Sequence, residues 1–204
     1  MTVAEAVAGR GVTELLHYTT QKGVLGTIAS GAILSRAQLD GEEYLAHIRE
    51  AVWPRKDPAW IDHISLSMTS INYELFLQSR SHYPELWWAV FSVSSAILEG
   101  SDAVFTTTNN IFPSVRRGRG LAGFEAMFAE EVVGKYGAIH TRAGLADNQP
   151  SDRAAEVLYP VRIAMDAIQG VYVIEPDHRN MILAWCDAHD RPELSVEVRP
   201  DVFA

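Results

Sequence analysis

Short strand-like runs recur along this chain, and the helical segments between them fall at irregular intervals; no other feature constrains the fold as tightly. WWAVFSV, residues 87–93, is brief, aromatic and β-branched, a composition that suits a pleated, half-buried surface. HISLSMTS, residues 63–70, alternates Ile64, Leu66 and Met68 with serines, the period of two expected of a strand with one buried face. TELLHYTT (13–20), AILS (32–35), DAVFTTT (102–108), AEVLYP (155–160), GVYVIE (170–175) and ELSVEV (193–198) read as further extended segments. Helical spacing predicts helices over 21–31, closed by Gly31, over 40–53 up to Pro54, over 72–79, over 178–189, and over 121–133, where Phe124, Met127, Phe128 and Val132 form one apolar face. Residues 109–120 and the polar stretch 138–153 read as loops. Strict strand–helix alternation would predict a parallel sheet; the irregular order predicts an α+β protein with a mostly antiparallel or mixed sheet.

The 204 residues suit one domain over 1–204, and a hydrophobic content of 48% is enough for a full core. A net charge of −9 excludes polyanion binding by the whole surface, yet leaves room for a local basic patch. Cys186 is the only cysteine, so no intrachain disulfide can form, and a reducing compartment follows. No apolar run approaches the ~20 residues of a membrane span, and MTVAEAVAGRG lacks a secretory pattern. Together these predict a cytoplasmic protein with no membrane partner.

Several residues stand out against this background. Gly118, Gly120 and Gly123 spell G-x-G-x-x-G, but the segment before them, NNIFPSVRR, is no strand leading into a dinucleotide turn; a flexible loop and helix start is the simpler account. Cys186 and His189 have metal-ligand spacing with nothing to complete a site, so no metal is expected. Arg116, Arg117 and Arg119 form the densest positive cluster, either a solvated loop or a phosphate-contacting patch. His17 and Tyr18 sit where an apolar strand turns polar. Glu156, after Ala154 and Ala155, puts a carboxylate at the mouth of the VLYP strand, where an apolar residue would be ordinary; it is either an edge charge or a catalytic group facing a cleft.

LLHYT, GTIASGAILSR, WWAVFSV, FTTTNN and AAEVLYPVRI occur in an order that resembles the DarT family of DNA-modifying ADP-ribosyltransferases, over about residues 15–165. The resemblance implies a split, mixed β-sheet core of the ADP-ribosyltransferase type with surrounding helices, and a cleft that holds NAD as co-substrate. It implies Glu156 as the catalytic residue. His17 would contact a ribose, Tyr18 and Thr19 would lie beside it, and Ser67, Ser70, Asn72 and Tyr73 would complete the NAD site, with Tyr73 or Phe76 stacking on nicotinamide. Residues 140–153 would shape the target site, and Arg116, Arg117, Arg119 and Arg153 would contact single-stranded DNA. A toxin role, with an antitoxin that removes the mark, also comes with the family.

The chemistry suits these residues. Loss of nicotinamide builds positive charge on the ribose, which a fixed carboxylate stabilises. Thymidine-modifying members carry an arginine after the second strand; SMTSINYELF has Ile71 or Asn72 there and no arginine before Arg80, so thymine and guanine both remain open. RNA or protein as acceptor, and a noncatalytic nucleotide-binding module, are the competing readings.

Overall fold

The computed structural model describes residues 1–41, 58–191 and 194–204. The helix expected over 40–53 lies almost wholly outside them. The elements follow in the order α1 (Val3–Gly9), β1 (Glu14–Thr20), α2 (Gln21–Ser30), β2 (Ala32–Leu34), α3 (Arg36–Gly41), β3 (His63–Met68), α4 (Tyr73–His82), β4 (Trp88–Ser94), β5 (Val104–Thr106), β6 (Arg117–Arg119), α5 (Gly120–Ala126), β7 (Glu131–Val133), β8 (Ile139–Thr141), β9 (Glu156–Pro160), β10 (Arg162–Ala164), β11 (Ile168–Val173), α6 (Pro176–Ala188) and β12 (Val196–Val198). Eight strands form one mixed sheet in the order β12-β11-β4-β1-β3-β9-β5-β6. Only β11 and β12 run parallel; the other pairs in this sheet are antiparallel. The expected α+β class is what the chain adopts.

Strand β1 is central because it is apolar on both faces. Leu15 packs into the larger core, with Val24 and Ile28 of α2, Phe124 of α5 and Ile182 and Cys186 of α6. Leu16 packs into the smaller core on the opposite face, with Ile71, Phe76, Trp88 and Phe203. Period two along a strand delivers successive residues to opposite faces, so one segment serves both layers. The helices are set by local signals. Gly31 closes α2 at φ 71°, Asn72 Oδ1 caps α4 by accepting from Leu75 N at 3.2 Å, and Pro176 opens α6.

The sheet forks at β1. Seven residues of β1 pair with β4, but only Leu15 and Leu16 pair with β3. Beyond Leu16 the two strands diverge, and His17 Nδ1 meets the Ser65 carbonyl at 3.0 Å across the opening. Strand β3 continues to pair on its other side with β9, from His63–Pro160 to Ser67–Glu156. The gap therefore lies inside the sheet, walled by strands on both sides.

Three segments differ from the sequence reading, one being Ile139–Thr141, which form β8 within the stretch 138–153 read as a loop. The helix expected over 121–133 ends at Ala126, and Glu131–Val133 form strand β7, paired with β8. The buried set Phe124, Met127, Phe128 and Val132 fits a helical stripe, but Val132 reaches the interior as the inward residue of a three-residue strand. The arginine segment is edge strand β6 of the main sheet, not a loop. Its glycines are not there for flexibility: a Cβ on Gly118 would stand 2.7 Å from Gly123 Cα, and one on Gly123 would stand 2.3 Å from the Gly118 carbonyl carbon. Both positions must be glycine for β6 and α5 to touch.

Candidate active site

The fork opens into a cavity of about 410 Å³ lined by β1, α2, β3, α4 and the segment after β5. Glu156 stands at its wall, only 8% exposed. Ser65 Oγ donates to Glu156 Oε1 at 2.5 Å, and the Asn110 main-chain N–H donates to Oε2 at 2.7 Å. The Glu156 backbone is fastened as well: its N–H donates to Thr106 Oγ1 at 2.9 Å, and the Thr106 hydroxyl reaches the Glu156 carbonyl at 3.1 Å. Each carboxylate oxygen thus has a donor and the main chain has two clasps, so the group is held in one orientation while it faces open space. This is the arrangement a preorganised negative charge requires.

His17, Tyr18, Thr19, Ser67, Asn72 and Glu156, all singled out from sequence, come together along this cavity. Tyr18 packs edge-on to Phe76 at 5.7 Å between centroids. Burial drives its hydroxyl pKa well above the usual tyrosine value; Ser79 partly offsets this by hydrogen bonding, and the nearby Glu156 charge adds to it. Tyr18 is therefore a neutral donor at any physiological pH. Asn72 is committed to capping α4 while it lines the cavity.

Other expected site residues lie elsewhere. Tyr73 packs partly buried against the smaller core and is absent from the cavity wall, and Phe76 is fully buried within that core, which closes its ring to stacking. Ser70 is absent from the cavity wall; its N–H closes a tight turn onto the Met68 carbonyl at 2.7 Å, next to Thr69 at φ 68°. Arg153 points to the Ala204 carbonyl at 3.3 Å. Of the three clustered arginines, Arg119 and Arg117 on β6 donate to the Asp102 carbonyl and to Asn110, while Arg116, just before the strand, has no side-chain bond among the described residues.

Sequence reasoning passed over Ser65, Asn110, Ser35 and Arg36. Ser65 shares the polar face of β3 with Ser67, so the alternation that gave one gave the other. Asn110 contributes through its main chain, which no side-chain pattern reveals. Ser35, 2% exposed, lines the cavity with a hydroxyl that has no partner among the described residues, and Arg36 beside it is the one arginine or lysine on the described wall.

Of the segment 107–155, residues 109–111 line the cavity, and the chain around them is tied down by side-chain bonds. Thr69 Oγ1 donates to the Asn148 carbonyl at 2.6 Å, Thr108 Oγ1 donates to the buried Asp152 at 2.5 Å, and Arg142 donates to the carbonyls of Ala146 and Gln149. Among the described residues no group of three or more His, Cys, Asp or Glu side chains is placed to hold a metal, and no helix is long and apolar enough to cross a membrane.

Comparison with known proteins agrees with this geometry. Residues 16–204 match the profile of the family described as "ssDNA thymidine ADP-ribosyltransferase, DarT". The fold is similar to Thermus sp. 2.9 DarT in complex with ADP-ribosylated ssDNA, at 17% identity and a TM-score of 0.61, covering 95% of this chain and 97% of that one. It is similar to the same Thermus protein in complex with NAD+, at 17% identity and TM-score 0.60, covering 94% and 98%. Thermosipho africanus DarTG in complex with ADP-ribose is similar at 17% identity and TM-score 0.61, over 94% of this chain and 51% of that one. No curated protein sequence matches the chain significantly.

Proposed function

The chain belongs to the DarT family through residues 16–204, and on that premise we propose that it is an NAD-dependent ADP-ribosyltransferase that modifies a nucleobase in single-stranded DNA. The observation that carries the reading is Glu156: a carboxylate with a donor on each oxygen, set at the wall of a cavity inside a forked sheet. An edge charge would need no such support.

The cavity residues fit the dinucleotide. Its volume lies in the range of small-ligand sites. Ser35 offers a buried hydroxyl awaiting a partner, Arg36 a guanidinium suited to phosphate oxygens, and His17 and Thr19 polar groups along the β1 wall where pairing to β3 has ceased. NAD supplies a ribose whose C1′ bond to nicotinamide can break with the electron pair leaving on nicotinamide. Glu156 lies where its negative charge stabilises the positive charge that develops on that ribose. The carboxylate can also take the proton that the nucleobase loses as its new bond to C1′ forms. Tyr18, kept neutral by burial, orients without adding a second charge.

The target strand would approach beside residues 109–111 of the cavity wall, with exposed Arg116, a few residues further on, supplying a cation for phosphate. A DNA-modifying enzyme of this kind needs an opposing activity in its own cell, so a cognate antitoxin that removes the mark or binds the enzyme is part of the proposal.

The test is incubation of the protein with labelled NAD and single-stranded oligonucleotides that lack one base at a time. Label on DNA that disappears when one base is omitted supports the reading and identifies the acceptor. Label confined to RNA or protein, or NAD binding with no transfer to any acceptor, overturns it.

A further inference from the structure

Arg117 was expected among the DNA contacts, but its guanidinium faces the catalytic wall. Nε donates to Asn110 Oδ1 at 2.7 Å and Nη2 donates to the Asn110 main-chain carbonyl at 2.7 Å. Asn110, 2% exposed, lies past the end of β5, where no ladder fixes its peptide. Its own N–H is the donor to Glu156 Oε2. One planar fork therefore grips both the side chain and the carbonyl of the residue whose amide holds the carboxylate. We propose that Arg117 is a positioning residue for Glu156, acting through Asn110, in place of a role in nucleic acid binding.

Three features carry this. The two bonds leave Asn110 little freedom to rotate, because the five donors of a guanidinium are fixed in one plane and a lysine cannot reproduce the pair. The arginine is itself anchored, since Arg117 and Thr106 are register partners in the β5–β6 pair, and Thr106 clasps the Glu156 backbone. The chain Arg117–Asn110–Glu156 is therefore built on two neighbouring strands and one short connection. Arg116 and Arg119, on either side, make no such contact; they differ from Arg117 in what they serve despite being adjacent in sequence.

The inference rests on Glu156 being the catalytic carboxylate, so the experiment separates the two. Arg117→Lys, Glu156→Gln and the double variant are compared for kcat, KM for NAD, oligonucleotide Kd and Tm. Arg117→Lys is expected to lower kcat by between about ten- and a hundredfold, the scale of a displaced catalytic group, with KM for NAD and oligonucleotide Kd within about twofold of the parent. In the Glu156→Gln background the same substitution should cost nothing further, because the group it positions no longer carries charge. A merely structural arginine would lower Tm and the rate in both backgrounds alike. If Arg117→Lys is poorly folded, Arg117→Ala assayed with added guanidinium ion replaces it, and recovery of kcat is the expected result. Unchanged kcat, a loss confined to oligonucleotide affinity, or an equal further loss in the double variant overturns the positioning role. Parental activity in Glu156→Gln instead overturns the assignment of the carboxylate on which it rests.

Discussion

Two carboxylates in the sheet are held alike and serve differently. Glu14 on β1 accepts from Ser92 Oγ on β4 and from the Tyr172 hydroxyl on β11 at 3.0 Å. Glu156 on β9 accepts from Ser65 Oγ on β3 and from a main-chain amide. Each is bonded to a serine from the neighbouring strand, although both Glu14 bonds reach Oε2 while those of Glu156 reach one oxygen each. What differs is the sheet around them. Glu14 opens β1 on the side where β1 and β4 pair along their full seven residues, and it does not line the cavity. Glu156 lies beside the fork, where β1 and β3 have separated and the carboxylate borders a cavity. In the role proposed for Glu156 a buried charge acts through the space in front of it, whereas similar bonds within a closed ladder make a structural clasp.

Substitution at the two sites should separate these roles. Glu156→Gln keeps the size of the side chain and removes the charge. It should fold with a Tm near the parent and bind NAD to within a modest factor, yet lose base modification by roughly two orders of magnitude or more, measured as label transferred per enzyme. Near-parental transfer would make the two acids equivalent after all. Glu14→Ala should do the reverse. It removes the acceptor shared by Tyr172 and Ser92, leaving Ser92 only Gln169, and should lower stability by about 1 kcal/mol in a urea titration, with kcat changed less than about twofold. A large kcat loss without destabilisation would erase the contrast.

The smallest effect is expected in alkali. Both regions contain a tyrosine whose pKa is raised chiefly by burial: Tyr18 at the cavity and Tyr172 beside Glu14, whose charge adds to the shift. A raised folded-state value means that the native protein keeps its proton after the unfolded chain has lost it. The stabilisation is complete below the usual tyrosine value of 10.0 and declines as pH rises through the folded values. Denaturant midpoints between pH 9 and 11 should therefore fall, and Tyr18→Phe should flatten the fall more than Tyr172→Phe, because Tyr18 is the more deeply enclosed. An equal or opposite order would mean that the cavity is wetter than the clasp.

Much of this contrast was legible in the sequence. Alternation over HISLSMTS located β3 and its inward face, the β-branched run WAVFSV located β4, and an acid after two alanines marked Glu156. The fork was not legible, because nothing in LLHYTT indicates that pairing to one neighbour stops after Leu16 while pairing to the other continues. Ser65 could have been picked from the same pattern as Ser67; the sequence does not say which serine faces the carboxylate. The reading of 121–133 failed because a three-residue strand and a helix can both bury Val132, and the choice is made by partners: β8, and the glycine contact that seats α5 against β6. The arginines were read as one group because they are close in sequence, whereas edge-strand geometry sends Arg117 to Asn110 and Arg119 to Asp102, and Arg116 precedes the strand.

The position of β9 has a consequence for the order in which the protein can become active. This strand is inserted between β3 and β5, yet it follows both in the chain: Ser65 and Glu156 are 91 residues apart, and Thr106 and Glu156 are 50 apart. While the chain is still being synthesised, β1, β3, β4 and β5 emerge before Glu156, and they lack the strand that joins β3 to β5. Such distant pairings also form slowly, since the entropy of closing the intervening chain is lost before the contact is gained. On the proposed role of Glu156, reactivity would be delayed until residues 156–160 have taken their place between β3 and β5.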